Sequence, residues 1–295
     1  MVRVGTCSWT EKSLIQSGEF YPKGLKAAED RLRYYSGHFD TVEVDSTYYA
    51  IPAKSNVLLW AQRTPDNFTF HVKVYGVLTG HGVDPRTLPP DIRNELPEKD
   101  KQGKSVFIRK PSLLRIVADL FKESLLPLMN AGKLGVLVFQ FPPCFIYKEE
   151  HIEYILSCKE HMGRIPVAVE FRHGSWYEPH VREKVFHFFR KNQIIHVVAD
   201  EPQYGTLATV PFVPQTTADI AYYRFHGRNK ENWLKKGVET SLRYAYEYSA
   251  QELKEFATHV QTSAKIAKET CVMFNNCHGG SAMRNAETMK VMLKG

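Results

Sequence analysis

Along this chain, short runs of apolar or alternating residues are separated by longer stretches in which the apolar positions recur every three or four residues. The short runs fall at 2–7, 41–45, 68–75, 134–140, 166–172, 194–200, 220–226 and 271–275 and read as strands. The stretches at 27–37, 55–63, 113–130, 149–159, 179–191, 250–267 and from 282 onward read as helices, the third of them with Pro127 inside it. Strand and helix in alternation make a parallel sheet covered by helices, and eight repeats favour closure. The expected fold is therefore α/β, a TIM-type (β/α)8 barrel spanning 1–295 as one domain. An open doubly wound sheet is the alternative if one or two of the runs are not strands. Two places break the rhythm. Segment 201–219 holds Pro202, Pro211 and Pro214 and no helical period, so the sixth helix is expected to be missing or replaced by a loop. Segment 79–110, between the third and fourth strands, is rich in Pro, Asp, Lys and Arg and reads as a surface insertion or lid.

Strand parity points to a site. Side chains alternate between the two faces of a strand, and polar residues of one parity near a strand's C-terminal end point into the mouth where such barrels place their chemistry. Glu43 and Asp45 alternate with Val42 and Val44, and His71 and Lys73 with Phe70, Val72 and Val74. Gln140 shares the parity of Val136 and Val138. Glu170 and Arg172 oppose Val169 and Phe171. His196, Val198 and Asp200 share a face, as do Tyr222, Arg224 and His226, and the eighth strand finishes at Asn275 and Asn276. A polar plug of mutually neutralised charges is the plain structural alternative for any one of these residues.

Composition changes the picture little. The chain has 295 residues, 43% of them hydrophobic, enough for a large core. A formal charge of +7 biases the surface toward anionic partners. The longest apolar run is far too short to cross a bilayer, and the first residues do not have the layout of a signal peptide, so the expected location is cytoplasmic, without a membrane partner. The five cysteines form no C-x-x-C pair or disulfide framework and read as reduced, mostly apolar thiols. Cys7 and Cys277 end the first and last strands, neighbours in a closed barrel, and a thiol pair there is conceivable beside His278.

The stretches Gly5-Thr6-Cys7-Ser8-Trp9, Phe20-Tyr21-Pro22, Val42-Glu43-Val44-Asp45-Ser46-Thr47-Tyr48-Tyr49, Gln140-Phe141-Pro142-Pro143, Glu170-Phe171-Arg172-His173-Gly174-Ser175-Trp176, Tyr223-Arg224-Phe225-His226-Gly227 and Phe274-Asn275-Asn276 resemble the YecE-like family, domain of unknown function seventy-two. The resemblance runs in order from the first strand to the last helix. It implies a TIM barrel and supplies no activity. Cys7-Ser8 departs from the Ser-Gly of many members and puts a thiol near the mouth.

Several chemistries compete for the polar set. Gly279-Gly280-Ser281 precedes the last helix, where unpaired N–H groups and the dipole suit a phosphate, with Arg224, Gly227 and Arg228 nearby after strand seven. Its plain reading is a turn with Ser281 as N-cap. Glu43, Glu170, Asp200 and His226 are a donor set for a divalent metal, although Lys73, Arg172 and Arg224 share the mouth and repel a cation. Glu43 and Glu170 also suit a glycosidase pair. Trp9, Tyr48, Tyr49 and Trp176 offer rings for stacking. The insertion carries Lys99, Lys101, Lys104, Arg109 and Lys110, with Arg115 just beyond it, a basic lid for a phosphate backbone or simply a solvated loop.

The reading that follows is a small anionic, phosphate-bearing ligand, a nucleotide or nucleic acid, bound at the C-terminal mouth. Glu43, Glu170, Asp200 and His226 are the candidate acid–base residues. Trp9, Asp45, Tyr48, Lys73, Gln140, Arg172, His173, Trp176, Arg224, Gly227, Asn275, Asn276, Gly279, Gly280 and Ser281 are the candidate ligand-binding residues. A metal-dependent phosphoester hydrolase and a non-catalytic binding or scaffold protein are the alternatives.

Overall fold

A computed structural model describes residues 1–294. Its eight strands are β1 (Val2–Thr6), β2 (Thr41–Val44), β3 (Thr69–Lys73), β4 (Leu134–Gln140), β5 (Val167–Glu170), β6 (Ile195–Asp200), β7 (Ile220–Phe225) and β8 (Glu269–Phe274). They pair in parallel in the order β1-β8-β7-β6-β5-β4-β3-β2. With helices outside, this is an α/β TIM-type barrel, nearly closed. All eight expected strands are present, and no helix lies between β6 and β7 among the described residues.

Closure fails by one seam. No backbone ladder joins β1 to β2 among the described residues. The hydroxyl of Tyr35, on the helix Ala28–His38, bridges the gap: it accepts from Thr6 N at 2.9 Å and donates to Thr41 O at 3.1 Å. The strands approach closely there because Gly5 has no side chain; a Cβ on it would lie 2.3 Å from Thr41 O.

The barrel interior is filled by Cys7, Val136, Val138, Ala168, Ile195, Val197, Tyr222, Cys271 and Met273. A larger apolar layer joins the outer strand faces to the helices. The β3–β4 register shifts between Phe70 and Val72, where β4 carries an extra residue. Here His71 Nδ1 accepts from Val136 N at 3.0 Å, in place of a ladder carbonyl. Gly135 makes room, since a Cβ there would sit 2.6 Å from that nitrogen. Burial pushes the His71 ring down to about 3.

The stretch expected as one helix at 113–130 is two, Pro111–Ser124 and Leu126–Asn130. Pro127 falls in the first turn of the second, where its missing N–H costs no helical bond. The insertion 79–110 is less loose than its composition suggested. Val83, Leu88, Ile92, Val106 and Ile108 are buried against the main core, and Val83 and Val106 exchange backbone bonds. Its apolar residues are spaced for short turns, not for a helix or strand, which hid them from a periodicity reading. No described helix is long and apolar enough to cross a membrane.

Candidate functional site at the C-terminal mouth

Arg224 is the centre of the polar cluster, and its side chain is fully buried. Its Nη2 donates to Glu43 Oε1 at 2.7 Å and approaches Asp45 Oδ1 at 3.5 Å, while Nη1 bonds Glu170 and donates to Gln140 Oε1 at 3.2 Å. From below, Tyr222 donates to Glu43 Oε2 at 2.8 Å. Arg172 continues the chain outward, with Nε 2.5 Å from Glu170 Oε1, Nη1 donating to Glu201 Oε2 at 3.0 Å and Nη2 to Gln140 Oε1 at 3.2 Å. His226 Nδ1 meets Asn275 Nδ2 at 2.9 Å, and its Nε2 lies 3.1 Å from both Glu170 Oε1 and Arg172 Nη2.

The environment separates these acids. Burial opposes the charge of Glu170, but Arg172, Arg224 and His226 outweigh it and hold the carboxyl well below the usual range. Burial pushes Glu43 up to about 8; Arg224 offsets part of this and the neighbouring Asp45 adds to it. Burial pushes Glu201 up to about 7 against the pull of Arg172 and of the Val210 amide. Burial, then Arg172, drives His226 down to about 3, so the ring is neutral.

The open part of the mouth is a pocket of about 650 Å³ beside this chain of charges, walled by Gln140, Arg172, Glu201, Trp233, Arg243 and Tyr244. Trp233 and Tyr244 meet edge to face at 5.6 Å, and the Arg172 guanidinium lies 5.5 Å from the Trp233 ring centre. Both rings come from the long segment after β7: Trp233 ends the short helix Lys230–Trp233, and Tyr244 directly follows the helix Thr240–Arg243. His173 is on the pocket rim, its Nδ1 occupied by Ser175. Lys73 Nζ lies 4.7 Å over the Tyr48 ring, which packs on His81. Burial, with Lys73 and Arg172, lowers His81 to about 4.

The sequence matches the description "protein of unknown function DUF72" over residues 3–295. The chain belongs to the DUF72 family. The UPF0759 protein YunF of Bacillus subtilis (strain 168) is 35% identical over 99% of this chain and 95% of its own length. Among solved structures, a DUF72 family protein from Thermotoga maritima superposes with a TM-score of 0.80 at 32% identity, covering 100% of both chains. Another from Enterococcus faecalis V583 gives 0.81 at 30% identity, covering 100% of this chain and 96% of that one. The expected family resemblance and barrel are thus established, and these relatives are named for a family of unknown function.

In this DUF72 barrel the sequence-selected residues do not all meet. Glu43, Asp45, Gln140, Glu170, Arg172, Arg224, His226 and Asn275 form one connected network. Asp200 is elsewhere. On β6 the inward side chains are Ile195 and Val197, so the face shared by His196, Val198 and Asp200 is the outer one. His196 there meets Tyr177 and Phe186, and Asp200 accepts from Arg228 and from Tyr248 at 2.6 Å under the helix Ala250–Ala264. Glu201, one residue on, takes the inward position that parity had given to Asp200.

Other assignments resolve into packing. Trp176 is buried in a stack with Phe171 (4.0 Å) and Phe145, its Nε1 donating to Phe145 O, which leaves no free face for a ligand. Trp9 is buried against Trp60 and Phe70. Gly227 has φ 88° and gives its N–H to Tyr248; a Cβ would stand 2.7 Å from Tyr246. Asn276 ties Tyr246 O to Asn285. The Gly279–Ser281 turn is already occupied: Gly279 N donates to Ser13 Oγ, Ser281 Oγ to Glu247, and Arg284 binds both Glu247 and Glu19. Carboxylates surround this turn, which is poor ground for a phosphate. The thiols of Cys7 and Cys277 are unpaired, and burial raises both.

Of the donor set proposed for a metal, Asp200 is absent, and Glu43 and Glu170 stand on either side of a guanidinium. Donor atoms of Cys7, Glu43 and Asp45 do lie within 4.8 Å of one another. Arg224 Nη2 contacts all three, at 3.8, 2.7 and 3.5 Å, so a fixed positive charge already fills the place of a cation, and these residues do not fit a metal. The same guanidinium occupies the space in which a sugar would sit between Glu43 and Glu170.

Sequence reasoning missed Glu201, Tyr222 as a donor, His81, Trp233, Arg243 and Tyr244. Tyr222 was legible by parity. The others sit on loops or on one-turn helices too short for a period to report direction.

Proposed function

We propose that the mouth of this barrel binds an anionic, phosphate-bearing ligand of nucleotide size, and that Glu201 moves a proton there. The observation that carries this reading is Arg243. It lines the pocket, forms no ion pair among the described residues, and its buried Nε has no acceptor. A buried N–H without a partner is costly, and a ligand oxygen would satisfy it. Arg172 shares the pocket wall, and Lys73, which also forms no ion pair among the described residues, stands on the neighbouring strand side of the mouth. Trp233 and Tyr244 offer ring surface to a base. The volume falls within the roughly 300–1,000 Å³ common for small-molecule sites.

Glu170 is a positioning residue in this reading: fully paired, it fixes Arg172, Arg224 and His226. Glu201 borders the pocket and titrates near neutrality, the condition that suits a general acid or base. Hydrolysis of a phosphoester is the reaction class this pairing of cations with a near-neutral carboxyl would serve. A nucleic-acid strand presents the same phosphate chemistry to the same residues.

Calorimetric titration with adenosine monophosphate and with inorganic phosphate tests the binding. Saturable binding weakened about tenfold or more in Arg243→Gln is the expected result. An affinity unchanged by that substitution, or no binding of either probe, removes the assignment. For catalysis, phosphoester turnover should vanish in Glu201→Gln while binding persists.

A further inference from the structure

A second cavity lies away from the mouth, between the helices Pro111–Ser124 and Glu149–Met162 and over Phe139 of β4. Its volume is about 230 Å³. We infer that this cavity is a binding site for a small amphipathic monocarboxylate, an apolar body with one anionic head, independent of the reading of the barrel mouth.

The walls specify the body. Leu114, Ala118, Phe139, Cys158 and Met162 give an apolar lining. The polar atoms nearest it are already satisfied: Tyr154 donates to Leu78 O at 2.9 Å, and the Cys158 thiol points at the same carbonyl at 3.8 Å. A wall of this kind takes apolar matter; a cavity of roughly 150 Å³ is enough for benzene. The room here suits a phenyl ring with a short tail, or a medium-length alkyl chain.

The rim specifies the head. Arg109, which is exposed, lines the cavity and forms no ion pair among the described residues; its only described contact of this kind is with the Phe107 ring, 5.9 Å away. Beside it the helix Pro111–Ser124 starts without a side-chain cap. His161 is also on the lining. Its Nδ1 is 2.7 Å from Ser157 O and must donate to that carbonyl, so that proton is already spent and is not offered to the head. A carboxylate held by Arg109 would meet a cation and a helix N-terminus, while its tail filled the cavity.

The test is calorimetry on the full chain with sodium octanoate and, as the neutral control, octanol. Octanoate is expected to bind saturably at one site and more tightly than octanol. Ala118→Phe, which fills the cavity, should abolish octanoate binding; Ser157→Phe does the same from the half-buried side if the first variant fails to fold. Arg109→Gln should weaken octanoate about tenfold and leave octanol unchanged. No saturable octanoate binding, binding that survives both cavity-filling variants, or an equal effect of Arg109→Gln on octanoate and octanol would each overturn the inference.

Discussion

Arg224 Nη2 donates to Glu43 Oε1 at 2.7 Å, and neither side chain is reached by solvent. Removing either one strands the other in a site that water does not reach. Arg224→Met leaves Glu43 without its cation and Glu170 with Arg172 alone. The expected loss is about 3–5 kcal/mol in urea denaturation. A loss under about 1 kcal/mol would mean the network is solvated in solution.

The acidity of Glu201 has a sign that can be checked. Its carboxyl is raised by burial to about 7, above the ordinary value it regains on unfolding. The folded chain therefore holds this proton more firmly, and the stability that comes with it is complete at acid pH and lost as pH rises through 7. Relative to Glu201→Gln, which does not titrate, the wild type should lose on the order of 3 kcal/mol between about pH 4.5 and pH 7.5. Denaturation midpoints of both proteins across that range decide it; a constant difference refutes the assignment.

Asp200 and Glu201 are adjacent in sequence and opposite in role. Asp200→Ala removes the acceptor of Arg228 and Tyr248 and should lower stability by about 2–4 kcal/mol while leaving affinity at the mouth unaltered. A stable Asp200→Ala protein with a weakened ligand would reverse the two assignments.

The seam between β1 and β2 depends on one hydroxyl. Tyr35→Phe leaves Thr6 N and Thr41 O without their partner and should cost about 1–3 kcal/mol, with faster amide exchange at Thr6. Gly5→Ala, which forces a methyl onto Thr41 O, should be the more damaging of the two. Equal exchange rates at Thr6 in wild type and Tyr35→Phe would show that the bridge is not what protects that amide.

The eight strands, the missing sixth helix and most of the mouth network could be read from the chain because each rests on local periodicity. Glu43, Glu170, Arg172, Arg224 and His226 follow alternation within strands whose apolar partners mark the outer face. On β6 that marker fails. Ile195, Val197, Val198 and Ala199 are apolar on both parities, so the run carries no phase, and Asp200 was as good a choice as Glu201. Trp176 was misleading for another reason: its indole is consumed by a stack whose other members, Phe145 and Phe171, lie on different segments. The Gly279–Ser281 turn has the local form of an anion site, and what disqualifies it, Glu19 and Glu247, arrives from far along the chain.

In the third strand, an imidazole nitrogen substitutes for a peptide oxygen: His71 receives the Val136 amide. A carbonyl keeps its lone pairs at any pH, whereas this acceptor is abolished by a single proton. Burial holds that proton off down to about 3, and the charge, once taken up, would also be repelled by Arg3. Strong acid would thus loosen the barrel wall from inside at one defined point, between the third and fourth strands, in addition to neutralising the carboxylates of the surface ion pairs.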